Sequence, residues 1–211
     1  MLRYLYADQL DQFPRLRDEM FRHRADQFST RLGWDVHVDS QGFERDEYDK
    51  LNPLYVIWET AEGGHGGSSR FLPTTGPVMV NDHFSHLTDA PIRSQLIWEC
   101  TRFCMARGQG PNVAAALMLG GGELMKGFGI RHFVGVFDAR MVRIYKRVGS
   151  SPEVLGTTGA GRDAISVGLW EFEEQAQEKV AERAGIAPEL SRAWFERAFD
   201  LRTVAEFAVS A

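Results

Sequence analysis

Cysteine is scarce in this chain, and so are the features that would call for an oxidising compartment, a zinc cluster or a membrane. The two cysteines, Cys100 and Cys104, stand four apart on a segment that reads as buried, which suits reduced core thiols better than a disulfide framework. The six histidines are scattered, so no zinc or other metal site is expected, because such a site needs several converging ligands. No apolar run approaches the roughly 20 residues of a membrane span. The opening Met1-Leu-Arg-Tyr-Leu-Tyr-Ala-Asp8 also lacks the apolar core of a secretion signal; the cytoplasm is the expected address. There is no basic excess, since 24 Lys and Arg against 29 Asp and Glu give a formal net charge of -5. General nucleic-acid affinity is therefore excluded, as phosphate neutralisation needs a concentrated basic surface. Repeats and low-complexity tracts are absent.

What is present is an ordinary globular composition, 44% hydrophobic and 25% charged. The length suits a single domain over 1–211 with a helical C-terminal extension from about residue 186. Residues 4–6 read as a short first strand. Pro14 then sits where a helix start tolerates it, and Phe13, Leu16, Met20 and Phe21 recur at helical spacing. From 29 to 53 the pattern breaks around Gly33, Gly42 and Pro53, giving a long loop of a kind that often carries function. Residues 54–58 and 68–72 form a hairpin about the turn Gly63-Gly-His-Gly-Gly67. A strand over 95–103 follows, then a helix opened by Gly110-Pro111-Asn112 and running to Phe128. Next come a strand over 131–137 and a helix capped by Asp138 and stopped at Gly149. A second hairpin, 153–158 with 164–172, and an amphipathic helix over 188–200 complete the series. This interleaving predicts an α/β (α+β) fold with a mixed, mostly antiparallel central sheet flanked by helices on both faces. Gly120, Gly121 and Gly122 interrupt one helix and weaken it by about 1 kcal/mol each relative to alanine, so close backbone packing or a ligand must compensate.

Several polar groups stand in a suggestive order. Arg24, Phe28 and Leu32-Gly-Trp34 precede the acidic stretch Glu44-Arg-Asp46-Glu-Tyr-Asp49; Arg70-Phe-Leu-Pro-Thr-Thr75 follows, then Trp98-Glu-Cys-Thr-Arg102 and Phe103. From the first helix to about Phe172, this order and spacing resemble the acyl-homoserine lactone synthases, the autoinducer synthases of bacterial quorum sensing. The resemblance implies an N-acetyltransferase-like three-layer αβα sandwich. It implies a reaction in which the amine of S-adenosylmethionine attacks an acyl thioester, carried by acyl carrier protein or coenzyme A. The methionine carboxylate then displaces methylthioadenosine and closes the lactone. S-adenosylmethionine is a cosubstrate in this chemistry, and no permanently bound cofactor is implied.

The residue types suit those steps. An α-amino group with a pKa of about 7.7–8.0 is mostly protonated at neutral pH, so a neighbouring carboxylate can take its proton; Glu99 is the candidate. The sulfonium and ammonium are cations that Asp46 and Asp49 can hold beside the aromatic faces of Phe28 and Trp34. Arg102, Arg70 and Arg24 can pair with the substrate carboxylate or fasten the acidic loop, and Phe103 joins this cosubstrate group. The same charges also suit a structural clasp between loop and sheet, and Phe28 and Trp34 suit a plain core. Glu99 and Arg102 are three apart, so a regular strand would point them to opposite faces. A bulge near Cys100 would bring them to one side. N-acetyltransferase-like folds carry such a bulge beside the thioester, where two strands splay to admit the pantetheine arm.

The resemblance places the acyl chain in an apolar tunnel between sheet and helix, for which Leu117, Met118, Met125, Phe128, Phe133, Gly135 and Val136 are candidates. Relatives that prefer 3-oxo chains tend to carry threonine or serine where Gly135 stands, so no hydroxyl is offered there. Arg140, Arg143, Lys146 and Arg147 recur at helical spacing and either dock an acidic carrier protein or form an ordinary solvated face. Arg107-Gly-Gln-Gly110-Pro-Asn112 loosely resembles the pyrophosphate loop of coenzyme-A-dependent N-acetyltransferases, departing from it at Asn112, and helix amides there can bind phosphate. An acetyl-coenzyme-A-dependent N-acetyltransferase is thus one alternative. The other is a non-catalytic small-molecule sensor, which would not need Glu99.

Overall fold

In the strand Leu54–Glu59, alternation of period two sends Leu54 and Val56 to one face and Tyr55 and Ile57 to the other, and all four are buried. A strand covered on both faces requires helices on both sides of its sheet. The computed structural model, which describes residues 1–201, supplies them. Its strands are β1 (Leu2–Tyr6), β2 (Leu54–Glu59), β3 (His65–Pro73), β4 (Ile97–Met105), β5 (His132–Asp138), β6 (Glu153–Thr158) and β7 (Ile165–Glu171). They form one seven-stranded sheet in the order β1-β2-β3-β4-β5-β7-β6. The β4–β5 pair is parallel, and the other neighbours are antiparallel.

The helices are α1 (Pro14–Ala25), α2 (Met79–His83), α3 (Pro111–Phe128), α4 (Met141–Val148), α5 (Glu174–Ala184) and α6 (Pro188–Ala198). Proline in the first turn opens α1, α3 and α6, and left-handed glycines at 129, 149 and 185 end α3, α4 and α5. On one face, α1 buries Leu16, Met20 and Phe21 against Leu5, Tyr55 and Ile57. On the other, Leu117, Leu124 and Met125 of α3 and Phe195 of α6 meet Leu2, Tyr4, Leu54, Val56 and Phe71. The expected three-layer sandwich is the observed one.

Three local expectations are corrected. Helix α5 has no counterpart in the sequence reading, because its apolar strip is only Val180, Ala181 and Ala184 in a highly charged run, yet that strip packs on Ala115, Ala116 and Leu119 of α3. Asp138 does not cap α4; its carboxylate accepts the Arg140 amide and pairs with the Arg140 guanidinium. His65, Gly66 and Gly67 belong to β3 and not to the hairpin turn. The C-terminal helix ends at Ala198, and the remainder of the expected extension, 202–211, lies outside the described residues.

Two irregularities of β4 open the sheet beside it. Arg70 pairs with Thr101 but Ser68 pairs with Cys104, so β4 carries one extra residue at Arg102 and Phe103, and Arg102 takes a left-handed φ of 53°. This is the expected bulge, displaced two positions from Cys100. Strands β4 and β5 pair only from Ile97–His132 to Glu99–Val134. Beyond that point they part.

Candidate active site

The arginines and carboxylates singled out from the sequence converge on one buried network between α1, the long loop, β3 and β4. Arg24 and Arg70 are fully buried, a state a guanidinium tolerates only when paired. Arg24 donates to Glu44 Oε2 at 2.6 Å and to both oxygens of Asp49 at 2.9 and 2.8 Å. Arg70 donates to Asp46, to Asp49 Oδ1 at 2.9 Å and to Thr101 Oγ1 at 3.1 Å. Arg102 closes the ring, with Nη2 lying 3.0 Å from Glu44 Oε1 and 2.7 Å from Asp46 Oδ2. Asp49 also accepts from Tyr55 Oη at 2.6 Å. Burial alone would favour its neutral form, but Arg24 and Arg70 outweigh that and hold it well below the usual carboxylate range. Asp46 accepts from the amides of Tyr48 and Asp49, which fixes the 3-10 turn Glu47–Lys50 and with it the end of the loop.

Glu99 stands apart from this ring, fully buried on β4. Its oxygens accept from the amides of Met79 at 3.1 Å and Val80 at 2.6 Å, at the start of α2. Those bonds favour the ionised form, yet burial wins and lifts its pKa to about 7. Burial likewise pushes the thiols of Cys100 and Cys104 up to about 12, and both are free, so neither is an activated nucleophile.

Where β4 and β5 part, a cavity of about 970 Å³ runs between the sheet and α3, at the top of the roughly 300–1,000 Å³ range of small-molecule sites. One end is walled by Phe28, Trp34, Arg102 and Phe103. A π-helical turn, Asp26–Arg31, continues α1 and delivers Phe28 there, stacked on Trp34 with ring centroids 5.2 Å apart and 11° between planes. The Arg102 guanidinium lies 5.5 Å over the Phe28 ring. Gln27 holds the rim by donating to Phe103 O at 2.8 Å and accepting from Met105 N at 3.0 Å. Leu117, Met118, Met125, Phe133, Gly135 and Val136 line the apolar part.

Other placements differ from the sequence reading. Arg24, Asp46, Asp49, Arg70 and Glu99 do not line the cavity, but Thr101, which accepts from Arg70, and Met79, whose amide donates to Glu99, do. Phe128 is corrected: it sits at the exposed end of α3 among Trp98, Phe195 and Phe199, outside the cavity. Arg143, Lys146 and Arg147 are exposed on α4, whereas Arg140 reaches the cavity rim and is paired to Asp138. Arg107 is tied to Asp26, and it lines the cavity together with Gly108 and Gln109 of the loop before α3. Among the described residues no group of His, Cys, Asp and Glu is arranged to hold a metal.

Glu44 is the member the sequence reading leaves out. Charge balance could have found it, since three arginines brought into one interior require three carboxylates, and Glu44 is the remaining acid of the stretch that faces inward.

Comparison with known proteins agrees with this geometry. A family model described as autoinducer synthase matches residues 9–180. An acyl-homoserine-lactone synthase of Rhizobium etli is 42% identical over 179 residues, covering 81% of this chain and 84% of the relative. A solved structure of a CoA-dependent acyl-homoserine lactone synthase, BjaI, with SAM and isopentyl-CoA superposes with a TM-score of 0.78 at 22% identity, covering 88% of this chain and 90% of the other. A putative N-acetyltransferase from Lactobacillus plantarum shares the fold at a TM-score of 0.55 and 11% identity, covering 82% and 99%.

Proposed function

The chain belongs to the autoinducer synthase family and is an acyl-homoserine-lactone synthase, and from that premise we propose how its residues divide the work. S-adenosylmethionine, a substrate and not a resident cofactor, lies at the Phe28–Trp34 end of the cavity. There the stacked rings and Phe103 offer π faces to its sulfonium, and Arg102 pairs with its carboxylate. The acyl thioester enters where β4 and β5 part, its chain running along α3.

The observation that carries this reading is Glu99: a carboxyl with a pKa near 7, buried beside the cavity wall. A base matched to the working pH is the useful one. It takes the amine proton. The amine nitrogen then bonds to the thioester carbonyl carbon, the carbon–sulfur bond breaks, and the thiol leaves. In the second step the methionine carboxylate attacks its own γ-carbon, the sulfonium carbon–sulfur bond breaks, and methylthioadenosine departs. Arg24, Arg70, Asp49 and Glu44 do not touch substrate; they hold Asp46 and Arg102 in register.

The donor we assign is acyl carrier protein, because Arg143, Lys146 and Arg147 stand exposed on the helix whose other face lines the cavity at Ile144 and Tyr145, and such proteins are acidic. Carrier protein and S-adenosylmethionine place the enzyme in the cytoplasm. The test incubates purified protein with S-adenosylmethionine and acyl thioesters of carrier protein and of coenzyme A, and detects products by mass spectrometry. Equal amounts of acyl-homoserine lactone and methylthioadenosine, formed faster from the carrier protein, are expected. An acylated amine without methylthioadenosine would overturn the synthase reading in favour of a simple N-acyltransferase.

A further inference from the structure

Beyond Glu99, β5 leaves one edge of β4 without a strand neighbour, and the backbone groups on that edge need other partners. The amide of Ala106 donates to Gly66 O of β3 at 3.0 Å. Backbone groups of successive strand residues face opposite edges, so Phe103 O and the Met105 amide face the edge from which β5 has parted. One side chain takes both. The Gln27 amide donates to Phe103 O at 2.8 Å and accepts from Met105 N at 3.0 Å. A residue of a parallel neighbour makes the same two bonds, one to the carbonyl of residue i and one from the amide of residue i+2. Gln27 thus stands in for one residue of a parallel strand where β5 is missing.

What Gln27 is attached to gives these bonds a consequence. It belongs to the π-helical turn Asp26–Arg31, a distortion frequent at functional sites, and its neighbour is Phe28. The Leu32 amide donates to Gln27 O at 3.0 Å and the Trp34 amide to Phe28 O at 2.9 Å, so both stacked rings hang from the backbone that Gln27 anchors. On β4 the two bonded groups follow directly on Arg102, whose left-handed φ of 53° persists only where the surroundings fix it. We propose that Gln27 is a positioning residue for S-adenosylmethionine: it sets the Phe28–Trp34 rings against the Arg102–Phe103 bulge, the two sides of the cosubstrate end of the cavity. This rests on the synthase reading and adds a residue to its cosubstrate site. Gln27, Phe103 and Met105 all line the cavity, so water can replace the two bonds and the fold should survive their loss.

The test compares wild type with Gln27→Met, which keeps the side-chain length and loses both bonds, and with Gln27→Ala, which cannot crowd the gap and favours a helix. Hydrogen exchange followed by NMR should be about tenfold or more faster at the Met105 amide in the variants and unchanged at Ala106. In steady-state lactone synthesis, KM for S-adenosylmethionine should rise about tenfold, the scale of two lost hydrogen bonds, while KM for the acyl thioester moves by less than about twofold. If the methionine variant does not fold, the alanine variant decides. Unchanged exchange at Met105, or faster exchange with both KM values unchanged, would overturn the proposal and leave the synthase reading standing. So would a rise confined to the thioester, or an equal rise in both KM values, which marks general loosening. No lactone from wild type with any thioester would overturn the reading beneath it and the proposal with it.

Discussion

Two buried titratable side chains show how environment assigns roles at the scale of single residues. Burial lifts Glu99 toward neutrality, giving a group that changes charge near the working pH. Burial drives His65 the other way, to about 3 from an ordinary 6.5, with His23 and Arg24 adding repulsion. His65 Nδ1 lies 2.9 Å from His23 Nδ1, its amide donates to Glu19, and its Nε2 has no partner among the described residues. It is therefore held neutral, while in the unfolded chain it protonates. The stability this contributes is present above pH 6.5 and drains as pH falls toward 3. Urea titrations should show wild type losing about 1–2 kcal/mol more than His65→Gln between pH 7 and pH 5; parallel curves would contradict this. Glu99 was legible in the sequence through the Trp98-Glu-Cys-Thr-Arg102 motif that carries the family resemblance and through the need for a carboxylate beside the substrate amine. Glu44 was not, because one acid among several in a loop gives no sign of which faces inward.

At the scale of elements, the loop between α1 and β2 is fixed by charge. Its 3-10 turn and the capping Asp46 would be a mobile surface piece were Arg24, Arg70 and Arg102 not anchored beneath it. Removing one carboxylate leaves buried cation uncompensated, so Asp49→Asn should cost about 3–5 kcal/mol in urea titration. A loss under about 1 kcal/mol would show the network to be dispensable to the fold. The clasp weighed from the sequence is present, and it presents Arg102 to the cavity, where the binding role is proposed. Periodicity exposed the strands and the long helices, and the three-residue separation of Glu99 and Arg102 exposed the bulge. It could not expose α5, whose short apolar strip makes sense only once the face of α3 it covers is known.

The whole molecule is organised around the one parallel neighbour pair that its sheet has among the described residues. After three paired positions β4 and β5 diverge, and α3 roofs the gap they leave, which is where we propose that the thioester and its chain lie. Against a net charge of -5, the exposed cations of α4 are a local feature beside that gap. Steering of an acidic carrier through them should weaken as salt rises, because exposed charges are screened beyond about 10 Å at 0.1 M. Charge reversal at Arg143, Lys146 and Arg147 together should raise KM for carrier-protein thioesters and leave KM for S-adenosylmethionine unchanged. Steady-state kinetics at two ionic strengths checks this, and equal KM values would move the docking site elsewhere.

The central claim is that Glu99 accepts the amine proton, and the pH dependence of kcat, measured for wild type and Glu99→Gln, tests it most directly. A base works when ionised, so wild-type kcat should rise with pH through about 7 and level off above it. Glu99→Gln should fold, lose about 10²–10⁴ in rate and lose that limb. A variant that keeps the wild-type rate and the wild-type limb would contradict the account and leave Glu99 as a cap for α2.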